Sequence, residues 1–162
     1  MDRQKLEDIY GRHADTVYRL CFTYLKNAAD SEDAASCVFV KLLDTDKNFR
    51  SPEHEKAWLI VTARNYCKDV LKNWWRKSRV QLESLPEAPY WDDYGQQSEV
   101  MAALLNLEEK YKTALYLYYF EDYSVREISK ILRVKESTVQ TRLAKGRQLL
   151  KLDLGGNYLE NG

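Results

Sequence analysis

Apolar residues recur along this chain at intervals of three and four, and that period divides it into helices. Leu6, Ile9, Tyr10, Val17, Leu20, Cys21, Tyr24 and Leu25 mark a first helix over 6–26. After a short connection Asp30 is expected to cap a second helix, with Asp33 placed against the positive end of its dipole. That helix should run to Leu43, burying Ala35, Val38, Phe39 and Leu42 while Glu32, Asp33, Ser36 and Lys41 stay available to a partner. Positions 44–55 hold charged and turn-forming residues, with Pro52 near their end, and read as a loop. A third helix from about Glu55 to Arg79 gathers Trp58, Leu59, Ala63, Tyr66, Val70 and Trp74 on one broad apolar face.

The helical period then stops. Pro86, Pro89 and Gly95 stand among acidic residues, which marks a linker, and Tyr90, Trp91 and Tyr94 give it groups that dock on something. Helical spacing returns near Glu99 with Val100, Leu104, Leu107, Tyr111, Leu115 and Tyr118, enough for two helices. From Tyr123 to Leu150 two more follow across a tight turn. Ser124 and Glu127 form a capping box for the first, which buries Val125, Ile128, Ile131 and Leu132. Arg133, Val134 and Lys135 connect it to a second that buries Val139, Leu143 and Leu150. The pattern is that of a helix-turn-helix. The expected fold is all-α: two small helical domains, 1–79 and 99–154, joined by an acidic linker over 80–98 and followed by a tail, 155–162, with little to bury.

Charge adds function to this outline. The formal net charge of zero favours no partner, but the charges are segregated. Lys56, Arg64, Lys68, Lys72, Arg76, Lys77 and Arg79 crowd the third helix; Glu83, Glu87, Asp92, Asp93 and Glu99 follow; cations return from Arg126. Arg64, Lys68, Lys72 and Arg76 repeat every fourth residue as one cationic stripe, a candidate phosphate track, because like charges so spaced weaken an isolated helix. Asn65, Tyr66, Trp74 and Trp75 add hydrogen bonding and stacking surface. On the last helix Ser137, Thr138, Gln140, Thr141, Lys145 and Gln148 face outward, the hydroxyls, amides and cations that hold phosphates and read base edges. Phe49, an aromatic in a polar loop, either covers a core edge or stacks a base.

Other chemistries lack their residues. Cys21, Cys37 and Cys67 are odd in number and set in helical patterns, as reduced core thiols of a cytosolic protein are. With no CxxC pair and with His13 and His54 isolated, each histidine is expected on a helix surface or in a turn and no metal site is expected. No carboxylate cluster, phosphate-binding glycine loop or nucleophile with a base supports an enzyme, and no cofactor is called for. Without a signal peptide, membrane span or lipidation pattern, a cytoplasmic location without membrane insertion is expected.

Asp33 with Phe39 six residues on, AWL at 57–59, ARNYCKD at 63–69, LEEKYKTALYLYYFEDYSVREISKIL at 107–132 and STVQTRLAKGRQLL at 137–150 together resemble the extracytoplasmic-function (ECF) sigma factors of the sigma-70 family. The resemblance spans about Leu6 to Leu152. It implies a protein that binds core RNA polymerase, through its beta and beta-prime subunits, and directs initiation at chosen promoters. On that reading Asp33, Ser36, Cys37 and Phe39 contact polymerase. Asn48, Phe49 and Arg50 in the loop, with Arg64, Asn65, Lys68 and Lys72 on the third helix, melt and read the minus-10 element. Ser137, Thr138, Gln140, Thr141 and Lys145 read the minus-35 element, with Arg142 and Arg147 on phosphates or in helix-packing salt bridges. An anti-sigma factor is implied as a further partner.

Ser36 stands where the family usually has Gln and Cys37 where an acidic residue is common, so the polymerase contacts of that helix are expected to differ in strength. Ser137 replaces a frequent Gly and Gln140 is less basic than many relatives there, so the promoter sequence does not carry over. The competing reading is a stand-alone helix-turn-helix regulator that holds an operator without polymerase. It would have no use for a docking surface around Asp33 and Ser36.

Overall fold

A computed structural model describes residues 1–45, 47–78 and 96–154. It holds seven helices: α1 (Arg3–Leu25), α2 (Ala28–Leu43), α3 (Pro52–Ser78), α4 (Gln96–Leu105), α5 (Glu109–Tyr119), α6 (Val125–Leu132) and α7 (Glu136–Leu154). No strand occurs among the described residues. The chain divides into two compact units whose boundary, Glu87/Ala88, falls between α3 and α4. The expected linker is shorter than read, since 96–98 already belong to α4; 80–95 and the tail lie outside the described residues.

In the first unit the three helices pack on one another around Ile9, Val17, Leu20, Cys21, Tyr24, Ala34, Val38, Leu42, Leu59, Ile60, Ala63 and Cys67. Asp2 caps α1, its carboxylate accepting from the Lys5 amide at 2.8 Å, and Lys26 ends the helix in the left-handed region at φ 66°. Three details differ from the sequence reading. Asn27, not Asp30, caps α2: its side-chain oxygen accepts from the Asp30 amide at 2.8 Å, and its amide donates to the Asp30 carboxylate at 2.6 Å. Asp30 is therefore a first-turn anion, favourable there for the dipole rather than as a cap. Ala34 is buried in place of Ala35, which is half-buried.

The third difference concerns the start of α3 and His13. The helix begins at Pro52, whose fixed φ and missing N–H suit a first turn, so Glu55 lies inside it rather than at its end. Glu55 is buried and accepts from Arg12 Nε (3.2 Å) and from Arg12 NH2 at both carboxylate oxygens (2.9 Å each). His13 Nε2 lies 3.3 Å from the same carboxylate, in the interior rather than on a helix surface or in a turn. One buried carboxylate so fastens the start of α3 to the middle of α1. His54 lies in the first turn of α3, half-buried, its Nδ1 accepting from the Arg50 amide at 3.2 Å.

The second unit packs α4, α5 and α6 with α7 around Met101, Leu104, Leu105, Ala114, Leu115, Tyr116, Leu117, Ile128, Val139, Leu143 and Leu150. Gly146 permits the approach of α5 to α7. A β-carbon there would lie 2.7 Å from Leu115 Cδ1 and 3.5 Å from Tyr111 Cβ. The capping box at Ser124 and Glu127 is formed in both directions, at 3.1 and 3.0 Å. Arg133 closes α6 in the left-handed region, φ 57° and ψ 47°, and turns the chain into α7. Tyr116 donates its hydroxyl to the buried Glu121 at 2.8 Å, which satisfies both groups beside the turn that precedes α6.

Candidate nucleic-acid interface

Within the second unit, α7 buries Val139, Leu143, Gly146 and Leu150 and turns Ser137, Gln140, Thr141, Lys145 and Gln148 to solvent, with Thr138 and Arg142 half-buried. This division follows from helical spacing: the four buried residues fall on one side. Thr141 spends its hydroxyl proton on the Ser137 carbonyl at 2.9 Å, so its oxygen faces outward as an acceptor. Arg147 donates to the Tyr119 hydroxyl at 2.9 Å, which ties α7 to α5. Beside the first turns of α7 lies a groove of about 370 Å³ lined by Lys110, Tyr111, Ser137, Thr138, Thr141 and Arg142. Lys110 and Tyr111 were outside the sequence expectation; their positions at the start of α5 carry no signal until that helix is packed on α7.

In the first unit the loop before α3 is seated on that helix. Phe49 packs its ring against His54 (centroids 5.4 Å) and Trp58 (5.8 Å), and Lys47 Nζ lies 5.9 Å from the Trp58 ring. Phe49 is half-buried, while Asn48 and Arg50 on either side of it are exposed. Trp58, Asn65 and Lys72 stand seven residues apart and so share a side of α3 with Lys68 next to them. Asn65, Lys68 and Lys72 are exposed and Arg64 half-buried, and at the far end Trp75 is 73% exposed. The loop aromatics thus sit at one end of a polar and cationic track.

The four candidate polymerase contacts separate into two groups. Asp33 and Ser36 are exposed, and Cys37 is half-buried with its sulfur accepting from the Tyr66 hydroxyl at 3.3 Å. That hydrogen bond, with burial, pushes the Tyr66 phenol up to about 12. Phe39 instead is 6% exposed and meets the Tyr10 ring edge-on at 4.9 Å, so it supports the surface from beneath. Val40 and Leu43, 55% and 44% exposed, take its place outside. Asp33, Ser36, Val40 and Leu43 follow helical spacing along one line of α2. The stretch Cys37–Leu43, broken only by Lys41, holds more apolar residues than a single buried face takes, and that excess was the available signal.

Cys21 and Cys67 are buried free thiols; the hydrogen bond between them, with desolvation, pushes the Cys21 thiol up and keeps it protonated. Among the described residues no group of His, Cys, Asp and Glu gathers that could hold a metal ion, and no helix is long and apolar enough to cross a membrane.

Family models for sigma-70 region 2 and sigma-70 region 4 match residues 9–78 and 97–150. The RNA polymerase sigma factor SigV of Bacillus subtilis is 31% identical over 146 residues, covering 88% of this chain and 86% of the relative. The chain belongs to the ECF sigma factors of the sigma-70 family. The ECF sigma factor SigE of Mycolicibacterium smegmatis is 30% identical over 157 residues, 90% of this chain but 60% of the relative, so the chain spans less than two thirds of that sigma factor's length. In fold, the chain is similar to the sigma factor RpoE of Bartonella quintana, solved with the anti-sigma factor NepR: TM-score 0.73 at 17% identity, over 96% of this chain and 98% of the other. Both polar and cationic surfaces described above lie within the segments matched as sigma regions.

Proposed function

We propose that this sigma factor binds core RNA polymerase with its first domain, 1–79, and directs promoter-specific initiation through two DNA contacts. α2 docks on polymerase along Asp33, Ser36, Val40 and Leu43, with Cys37 at its edge. The 48–50 loop with Arg64, Asn65, Lys68 and Lys72 engages the minus-10 element, and α7 of the second domain, 99–154, engages the minus-35 element in duplex form. The observation that carries this reading is the pairing of two exposed polar and cationic helical faces, on α3 and on α7, in two separately packed units of a chain that belongs to the family. Each face offers few contacts, and joining them on polymerase raises their effective concentration at one promoter. The chain supplies recognition and no catalytic step of its own. An anti-sigma factor is proposed as a partner because a sigma factor of the same fold is known in complex with one, and the cytoplasm is the proposed location.

The test is capture of core polymerase and run-off transcription with purified chain, beside a variant carrying Val40→Asp and Leu43→Asp. Wild-type chain should be captured and should confer transcription on core polymerase; the variant should lose both while keeping its helical circular dichroism. Failure of folded wild-type chain to bind core polymerase refutes the reading.

A further inference from the structure

We propose that the groove between the start of α5 and the first turns of α7 seats a backbone phosphate of the duplex, held by Lys110 and Arg142, and thereby sets the register of α7; this rests on the minus-35 reading above. The lining holds two cations, three aliphatic hydroxyls and a tyrosine, and no carboxylate. Such a concave, donor-rich surface suits a phosphate diester better than a base edge, because its charge meets any sequence alike.

The donors are arranged for it. Thr141 has committed its proton to Ser137's carbonyl, which leaves Ser137, Thr138, Lys110 and Arg142 as donors across the groove. Lys110 Nζ lies 5.0 Å from the Tyr111 ring centroid, and among the described residues its one ion-pair contact, 3.9 Å to the exposed Glu108 carboxylate, is at the outer limit of such pairs. An entering phosphate replaces that contact with a closer one. On α7, Thr138 and Arg142 are one turn apart and flank the groove, whereas Gln140 and Gln148 do not line it. The division follows: Arg142 and Thr138 position the helix, and the exposed line through Gln140 reads bases.

The experiment titrates fluorescein-labelled duplexes with the full chain at 50–200 mM KCl, one duplex carrying a sequence chosen by selection on this chain and one of mixed sequence. Lys110→Gln and Arg142→Gln should each weaken both duplexes by the same factor and lower the slope of log K against log salt by about 0.9. Equivalently, wild type should lose about 3.5-fold more affinity than either variant over that salt range. Lys110→Arg should restore the wild-type slope. Gln140→Ala, in contrast, should change the ratio between the duplexes and leave the slope alone. An unchanged slope in Lys110→Gln, or a loss confined to the selected sequence, overturns the phosphate site while leaving the minus-35 reading intact. A wild-type chain that binds neither duplex overturns both.

Discussion

Truncating Glu55 to alanine should loosen the first unit while leaving the second untouched. The carboxylate is buried and serves Arg12 through three hydrogen bonds and His13 through a fourth contact. Its loss has two parts. The Arg12 side chain is 43% exposed and regains water, so its pairing counts for no more than about 1 kcal/mol. The His13 side chain is 8% exposed, and stranding its ring nitrogen costs about 1 to 2 kcal/mol. A total of about 2 kcal/mol lowers the urea midpoint of a unit this size by about 1 to 2 M. Tryptophan fluorescence isolates the effect in a Trp91→Phe background, because the other three, Trp58, Trp74 and Trp75, lie on α3 and 96–154 contains none. The midpoint of that signal should fall while the melting of the second unit, followed by amide exchange on α5 and α7, stays fixed. Glu55→Gln, which keeps the acceptor and loses the charge, should fall between. A shift under about 0.5 kcal/mol for the alanine variant, within the range of ordinary surface substitutions, would refute the idea that this carboxylate fastens α3 to α1.

Three further perturbations test other parts of the structure. Gly146→Ala gains about 1 kcal/mol of helix propensity but drives a methyl into Leu115, a cost of about 1 to 3 kcal/mol, so exchange on α5 and α7 should accelerate modestly and a valine there should do worse. Ser124→Ala removes the capping box and should cost about 1 kcal/mol, seen as faster exchange at the α6 amides. Tyr66 gains its proton affinity on folding, so the stability it confers is complete below the ordinary tyrosine range and declines as pH rises from about 10 to 12. Cys37→Ala removes the largest cause of that rise, and ultraviolet titration should then find this phenol ionising at lower pH.

Most helices were legible because their apolar residues keep one period over several turns. α6 is the clearest case, where Ser124, Glu127, Ile128 and Leu132 specify start, cap and buried face within nine residues, although Val125 and Ile131, expected inside, are half-buried and Ser129 is buried between them. Competition between neighbours was less legible. Asn27 and Asp30 are both good caps three residues apart, and the upstream one wins by bonding the other's amide. Glu55 marks the approach to a helix in sequence, yet Pro52 starts it earlier and the carboxylate turns inward to meet Arg12 and His13, 43 and 42 residues away. No local rule carries that pairing. For the same reason His13 passed for a surface residue, and Lys110 joined the groove beside α7 only through packing between α5 and α7. The exposed polar face of α7 itself was legible because charge and helical spacing coincide on one helix.

The left-handed residue at the turn between α6 and α7 has an engineering consequence. Arg133 holds a conformation that costs a side-chain-bearing residue about 1 to 2 kcal/mol and glycine almost nothing. Arg133→Gly should therefore make the second domain hardier, while a β-branched residue or proline there should damage it. The same change deletes a cation from the domain proposed to meet DNA. At this position thermal robustness and attraction to a polyanion pull in opposite directions, so a variant selected for heat resistance alone would drift toward weaker promoter capture.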